Sequence, residues 1–337
     1  MKTKDSIKGN KKNSEKNEKI IDGIKIKNEK IVELIDEIHK NVYGQDELIV
    51  KTIVALLSNG HVLIEGVPGL AKTLLVNTMA KALDLSFSRI QFTPDLLPSD
   101  IIGTEIINKE REFVVKKGPI FANFILADEI NRSPPKVQSA LLEAMQEKQV
   151  TIGNQTFKLD LPFFVFATQN PIENQGTYQL PEAELDRFMF KIIVSYPELE
   201  DEMKILERYS SNKVEKIEKV LTKEEIIKFQ NEVRNVYLDP VIQEYIAKIV
   251  DATRNPEKYN LKRNVEYGSS PRGSINLAIA SKAIAWLNNR NYVIPNDVKV
   301  IAKEVLRHRI ILTYEAMIEK VKEDSIIDEI LNTIEEP

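Results

Sequence analysis

The stretch His61-Val62-Leu63-Ile64-Glu65-Gly66-Val67-Pro68-Gly69-Leu70-Ala71-Lys72-Thr73 decides the reading of this chain. Its short apolar run before a glycine predicts a buried strand, and the apolar spacing from Thr73 to Leu83 predicts a helix after it. A glycine-bearing turn between strand and helix that ends in Lys-Thr is the context of a phosphate-binding loop, here spanning Gly66 to Leu74. Backbone N–H groups of the loop and of the helix N-terminus would surround a β-phosphate, where the helix dipole favours negative charge. Lys72 would add a point charge for the β and γ oxygens, and the Thr73 hydroxyl could ligate magnesium. Ala71 stands where the general pattern GxxxxGK[ST] has its second glycine; alanine serves if the backbone there needs no positive φ. The competing reading is an ordinary strand-to-helix turn with a chance lysine.

Outward from the loop, strand-like runs recur at Ser88 to Phe92, Phe124 to Ala127, Phe163 to Ala167 and Phe190 to Val194, separated by helical stretches such as Val137 to Glu147. Strands alternating with helices predict an α/β fold with a parallel sheet covered on both faces. Beyond Tyr196-Pro197 the pattern reads as helices only: Glu200 to Ser210, Lys223 to Val233, Pro240 to Asp251, Ser274 to Leu287 and Asn296 to Arg309. The expected organisation is an α/β nucleotide domain over residues 31–198 and a smaller helical lid over 199–337. Residues 1–30 carry ten lysines against five acids with little periodicity. Such a composition cannot bury enough surface to offset chain entropy, so a flexible tail is expected.

Phe124-Ile125-Leu126-Ala127-Asp128-Glu129 is an apolar strand ending in two acids, 56 residues after Lys72. Neighbouring strand residues face opposite sides, so the two acids can take different roles. Asp128 would hold a magnesium shell and Glu129 would orient and polarise an attacking water. Phe163 to Ala167 leads into Thr168-Gln169-Asn170, where the Asn170 amide could bridge a γ-phosphate and that water, or simply form a turn before Pro171. Arg272 follows Ser270-Pro271, an N-cap and first-turn proline that predict a helix start. An arginine in the first turn works against the dipole and points to an anionic partner, or is an ordinary surface arginine.

Several classes are excluded or disfavoured by composition. The 337 residues contain no cysteine, which removes disulfides, thiolate metal sites and cysteine nucleophiles. His39, His61 and His308 are the only histidines and lack ligand spacing. No apolar run approaches the ~20 residues needed to span a bilayer, and the lysine-bearing start has no apolar h-region, so a cytoplasmic protein is expected. The net charge is -4, and the excess of five lysines in the first 30 residues leaves the remainder at -9, an acidic body that disfavours nucleic acid.

These stretches resemble the MoxR group of AAA+ ATPases from about Ile31 to Ile334. The resemblance rests on GVPGLAKT from Gly66, QFTPDLLPSDIIG from Gln91 and ADEINRSPPKVQSALLEAMQEKQVTIG from Ala127. ATQNPIENQGTYQLPEAELDRF from Ala167, GSSPRGSINLA from Gly268 and VLRHRI from Val305 complete it. Ala71 is what this group usually has. The resemblance implies that Lys72 and Thr73 are Walker A, Asp128 and Glu129 Walker B, and Asn170 sensor 1. Arg187 is similar to the arginine finger that reaches a neighbouring subunit's ATP, and Arg272 to the sensor 2 of the lid. Val42, Tyr43, Gly44 and Gln45 would border the adenine. ATP and magnesium are the implied cofactors, the metal being held by Thr73 and Asp128 largely through water. The family forms rings, most often hexamers, thought to act as chaperone-like remodellers whose partners often carry a von Willebrand A-type domain. Gly273, where alanine is usual, is expected to loosen the helix start. Gly103 to Lys117 resembles a projecting insert of this clade. Gln149 to Leu159, alternating around Gly153-Asn154, reads as a β-hairpin. Both are expected to face a ring pore or partner, or else to be plain surface hairpins.

Three function classes follow: an ATP-driven ring that remodels a protein client, a DNA translocase, and a nucleotide-gated scaffold with little hydrolysis. The acidic body weighs against the second and Glu129 against the third.

Overall fold

The computed structural model describes residues 18–67, 69, 72–171, 176–197, 199–210 and 215–337. The described chain opens with a hairpin, β1 (Lys19–Ile21) and β2 (Ile24–Ile26), followed by α1 (Glu29–His39) and α2 (Asp46–Leu57). β3 (Val62–Glu65) leads to α3 (Lys72–Ala82), and β4 (Phe87–Gln91) to α4 (Pro98–Ile102) and a hairpin of β5 (Gly103–Ile107) and β6 (Phe113–Lys117). β7 (Phe124–Asp128) and α5 (Pro135–Glu147) precede another hairpin, β8 (Gln149–Ile152) with β9 (Gln155–Lys158). β10 (Phe164–Gln169), α6 (Glu182–Leu185) and β11 (Phe190–Ile193) follow. The remainder comprises α7 (Leu199–Ser210), α8 (Lys223–Asn235), α9 (Pro240–Arg254), β12 (Val265–Tyr267), α10 (Pro271–Leu287), α11 (Pro295–Lys299), α12 (Ala302–Leu306), β13 (Ile311–Leu312), α13 (Tyr314–Ile318) and α14 (Glu323–Thr333).

The five predicted strands form one all-parallel sheet in the order β11–β3–β10–β7–β4. The alternation of side chains sorts its residues into two cores. Val62, Ile64, Phe124, Leu126, Phe164 and Phe166 pack with α1, α2 and α3 on one face. Leu63, Ile125, Ala127, Val165 and Ala167 pack with α5 on the other. A fully buried phenylalanine contributes about 1.5–3 kcal/mol relative to exposure, so Phe124, Phe164 and Phe166 alone anchor three positions of the sheet strongly. The order places β3 and β7 on either side of β10, so the C-terminal ends of all three strands meet at one edge. That edge is where an open parallel sheet binds ligands.

Four expectations need correction. The flexible tail does not reach residue 30: β1 and β2 pair antiparallel around Asp22-Gly23, both at positive φ, and bury Ile24 and Ile26. The lysine count hid a short alternating pattern with a turn made for a hairpin; residues 1–17 of the tail lie outside the described chain. The C-terminal part is not purely helical, because β12 and β13 pair antiparallel. The helix expected from Asn296 to Arg309 is two short helices, α11 and α12, and a final 3₁₀ turn, with Val300 and Ile301 as the break. Gly273 does not loosen α10, which begins two residues earlier with Ser270 as N-cap. A Cβ at Gly273 would lie 2.0 Å from Ser269 Oγ, so glycine is what admits that buried serine.

The insert and the second expected hairpin are both hairpins, and they pack together. A Cβ on Gly153, in the β8–β9 turn, would fall 2.2 Å from the Glu105 carboxylate on β5. Lys117 on β6 lies 4.7 Å from the centroid of the Phe121 ring and 5.5 Å from that of Phe157 on β9. Ile107 and Phe113 sit opposite each other near the β5–β6 tip and are exposed.

Candidate functional site

β3 is buried up to its last residue, with Val62, Leu63 and Ile64 fully enclosed, and this fixes where the loop after Glu65 must begin. Gly66 N–H donates to the Gln169 carbonyl (3.4 Å), tying the loop to the end of β10. Gly69 has φ +89, a conformation that favours glycine, and a Cβ there would meet nothing within 4 Å. Its surroundings are open space, as a loop that wraps a ligand requires. Lys72 opens α3, and its Nζ donates to the Gly66 carbonyl (2.7 Å). Burial lowers the Lys72 pKa, while Asp128, Glu129 and Glu65 act in the opposite direction. The ammonium therefore sits where bringing an anion is favourable. Of the expected loop, Pro68, Leu70 and Ala71 lie outside the described residues.

Asp128 ends β7, and its carboxylate is held on both sides. Thr168 Oγ1 donates to Oδ1 (2.7 Å), and Arg89 donates to Oδ2 from Nη2 (2.6 Å) and Nε (3.2 Å). Glu129 diverges from Asp128 for a reason other than strand alternation. Its backbone turns left-handed (φ 56, ψ 51), an uncommon conformation for a side chain of this kind. The turn is held by the Glu129 N–H, which donates to Thr168 Oγ1 (2.8 Å). One threonine thus orients both acids. Glu129 Oε2 receives Gln91 Nε2 (3.1 Å) and pairs with Arg132 Nε (3.0 Å).

These groups face a cavity of about 760 Å³, within the range of small-molecule sites. Gly66, Gly69, Lys72, Thr73 and Leu74 line it, as do Asp128, Glu129 and Asn170. Val42, Tyr43 and Gln45 form a further wall. Gly44 is not part of the lining; it has φ +67, and a Cβ there would lie 2.7 Å from Asp201 Cβ, so glycine lets α7 approach this loop closely. Val67 is described but does not line the cavity. The size, the half-buried ammonium and the open glycine turn suit a nucleoside triphosphate. No group of three or more His, Cys, Asp or Glu side chains arranged for a metal occurs among the described residues. Magnesium, which keeps several waters and shares its shell with phosphate oxygens, needs no such cage and fits Thr73 and Asp128.

Arg187 and Arg272 are elsewhere. Neither lines the cavity. Arg272 Nη2 donates to Gln146 Oε1 (3.0 Å), and Nη1 lies 3.6 Å from Asp186 Oδ2. Arg187 follows Asp186 directly at the end of α6. Arg272 thus reaches the residue next to Arg187, and neither arginine lines the Lys72 cavity of its own chain.

Sequence reasoning missed Thr168, Arg89, Gln91 and Arg132, as well as Asn41, Tyr196, Pro197, Glu202 and Ile205 of the cavity wall. A signal existed for two of them. Arg89 and Gln91 are polar residues two apart on an edge strand, hence on one side of it, and β4 pairs with β7 so that Gln91 lies opposite Asp128. The wall residues on α7 carry no such signal, because only the packing of that helix brings them there.

The comparisons agree with this geometry. Residues 61–190 match the family described as "ATPase family associated with various cellular activities (AAA)", and residues 257–330 match an AAA lid domain. Chaperone MoxR1 of Mycobacterium tuberculosis is 47% identical over 90% of this chain and 81% of its own length. The uncharacterized protein YeaC of Bacillus subtilis is also 47% identical, over 90% of this chain and 93% of its own. The crystal structure of a "putative ATPase" from Cytophaga hutchinsonii superposes with a TM-score of 0.87 at 51% identity, covering 91% of this chain and 95% of that one. With a relative of this identity and coverage, and with the parallel sheet and lid of the fold, the chain belongs to the MoxR family of AAA+ ATPases.

Proposed function

We propose that this chain binds ATP with magnesium in the Lys72 cavity, hydrolyses it in a ring of copies, and uses the cycle to remodel a protein client. The carrying observation is a division of labour. Lys72, Thr73, Asp128, Glu129 and Asn170 line one cavity, while Arg187 and Arg272 do not. A site with a lysine, a hydroxyl, two acids and an amide can bind and position, yet among the described residues no arginine lines it to stabilise a transferring phosphoryl group, Arg89 and Arg132 being engaged by its acids. A neighbour is the natural source, and that requires an oligomer.

In this reading Lys72 neutralises the β and γ oxygens, Val42, Tyr43 and Gln45 border the base, and Thr73 and Asp128 hold the metal shell through water. The magnesium supplies charge neutralisation at the phosphates. Glu129 orients the attacking water and accepts its proton once Arg132 and Gln91 release the carboxylate. Asn170 fixes the same water, and Arg187 of one copy reaches the ATP of the next. The naming of a relative as a chaperone supports a protein client, and a von Willebrand A-type domain protein is the partner class that the family resemblance implies. Among the described residues no helix is long and apolar enough to cross a membrane.

The test is steady-state ATP hydrolysis with magnesium over a hundredfold range of protein concentration, with sizing at both ends. Specific activity that rises as copies assemble supports sites completed between subunits. Full activity from a protein that sizes as a monomer would overturn the reading. Lys72→Ala should abolish nucleotide binding in the same preparation.

A further inference from the structure

We infer that Asp186 is a positioning residue that holds Arg187 and Arg272 as one unit for the ATP of a neighbouring copy, an inference resting on the reading of those arginines given above. The geometry is a clamp on one aspartate. Arg309 is 1% exposed at its side chain, and its Nε donates to Asp186 Oδ1 (2.7 Å). Its Nη2 donates to the Asp186 carbonyl (3.0 Å) and to the Phe188 carbonyl (2.6 Å). Its Nη1 donates to the Met189 carbonyl (3.3 Å) and to that of Val305. Side chain and backbone of Asp186 are therefore both fixed, along with the carbonyls on the far side of Arg187. The peptide that carries Arg187 has little freedom left.

The other oxygen of the same carboxylate reaches the lid. Asp186 Oδ2 accepts from Ser270 Oγ (2.9 Å), and Ser270 Oγ accepts in turn from the Arg272 N–H (3.1 Å). Asp186 thus sets the N-cap of α10 and the first-turn arginine beyond it, whose Nη1 is 3.6 Å away. Two arginines from elements 85 positions apart in sequence are indexed to one carboxylate.

The charge balance favours an anion. Arg272 and Arg309 share Asp186 as the carboxylate they reach among the described residues, and the Arg187 side chain makes no hydrogen bond or ion pair there. Burial brings the Arg309 pKa down to about 10, with Asp186 opposing that fall, so Arg309 stays charged near neutrality. Two guanidiniums on one carboxylate leave a cationic surplus, and planar forks such as those of Arg187 and Arg272 suit phosphate oxygens. Since neither Arg187 nor Arg272 lines the cavity of its own chain, the polyphosphate they suit is one bound by another copy.

The experiment mixes variants of the full chain. Asp186→Asn should retain ATP binding and KM within about twofold while kcat falls about 10²-fold or more, a fraction of the effect of losing an arginine finger. Lys72→Ala alone should be inactive. Mixed in equal amounts, the two should regain activity several-fold above the sum of their separate rates. The Lys72→Ala copies then present intact arginines to the intact nucleotide sites of Asp186→Asn copies. Because Asp186→Asn leaves Arg309 buried without its partner, Ser270→Ala, which cuts only the lid arm, is run beside it; if Asp186→Asn does not fold, Ser270→Ala alone decides the matter. A variant that hydrolyses ATP at the wild-type rate, or one that gains nothing on mixing, overturns the inference. Arg187→Ala mixed with Lys72→Ala is the separate control. Gain there without gain for Asp186→Asn and Ser270→Ala sinks the role of Asp186 alone, whereas no gain in any mixture sinks the shared-site reading.

Discussion

Acidification should weaken this protein well before its carboxylates protonate, because His61 is buried neutral. The ring lies at the start of β3, 5% exposed, with Nδ1 accepting from the Val165 N–H (3.0 Å) and Nε2 facing the Met145 carbonyl (3.2 Å). That pattern requires a neutral imidazole with its proton on Nε2. Burial lowers its pKa from 6.5 to about 4; the Met145 carbonyl opposes the shift and Lys148 adds to it. The unfolded chain therefore takes up this proton near pH 6.5, while the native state refuses it until about pH 4. Between those values the unfolded state binds more protons, and each unit of acidification costs about 1.36 kcal/mol of stability. The total approaches about 3 kcal/mol at the lower limit, a large fraction of a typical folding free energy. His308 is also buried, with its pKa lowered well below 6.5 by burial and by Arg309, and acts in the same direction. Carboxylates such as Asp46 and Asp251, whose pKa values are lowered by hydrogen bonds, lose their contribution only as pH falls below about 4. The two windows are thus distinct. Urea unfolding at several pH values between 7.5 and 4.5 should show this slope. His61→Gln keeps a donor and an acceptor without titrating, and it should flatten the slope by about 1.36 kcal/mol per unit whatever its stability at neutral pH. An unchanged slope in His61→Gln would refute the assignment of this proton.

The remaining predictions concern the nucleotide site. Glu129→Gln should bind ATP as wild type does but hold it unhydrolysed, read by single-turnover hydrolysis against equilibrium binding; normal turnover would remove Glu129 as the base. Arg187→Ala should leave binding intact and lower kcat by about 10³, the low end of arginine-finger effects. Thr168→Val preserves shape but removes the hydroxyl that holds Asp128 and the left-handed Glu129 peptide. It should lose about 1–3 kcal/mol of stability, from the unpaired Glu129 N–H, and reduce kcat more than ATP affinity. Equal kcat in Thr168→Val and wild type would show that the threonine does not position the acids.

The parallel sheet and its ligand edge were legible in sequence because both rest on local rules. Short apolar runs such as Phe124 to Ala127 and Phe163 to Ala167 have the length of buried strands rather than of helices, and the loop from Gly66 to Thr73 carries its own chemistry. The paired acids followed from the same pattern, since an apolar strand that stops at Asp128-Glu129 leaves them at its tip. Short-range periodicity failed where composition masked it: ten lysines concealed the β1–β2 hairpin, and a continuous helical spacing ran through the break at Val300 and Ile301.

What the tertiary structure alone decided is which residues meet. Thr168 touches both acids because β10 pairs with β7, and Arg89 reaches Asp128 because β4 pairs with β7 from the other side. Neither pairing is written in any one segment, since strand order depends on how crossovers pack rather than on the strands. The meeting of Arg272 and Arg309 at Asp186, beside Arg187, is of the same kind. Local sequence determined which side chains could handle phosphate and metal. The non-local order of the strands determined that Lys72 and the acids share one cavity, and the fold leaves Arg187 and Arg272 outside it. Long-range contacts carry no local periodicity, and for that reason only the folded chain could separate the two sets.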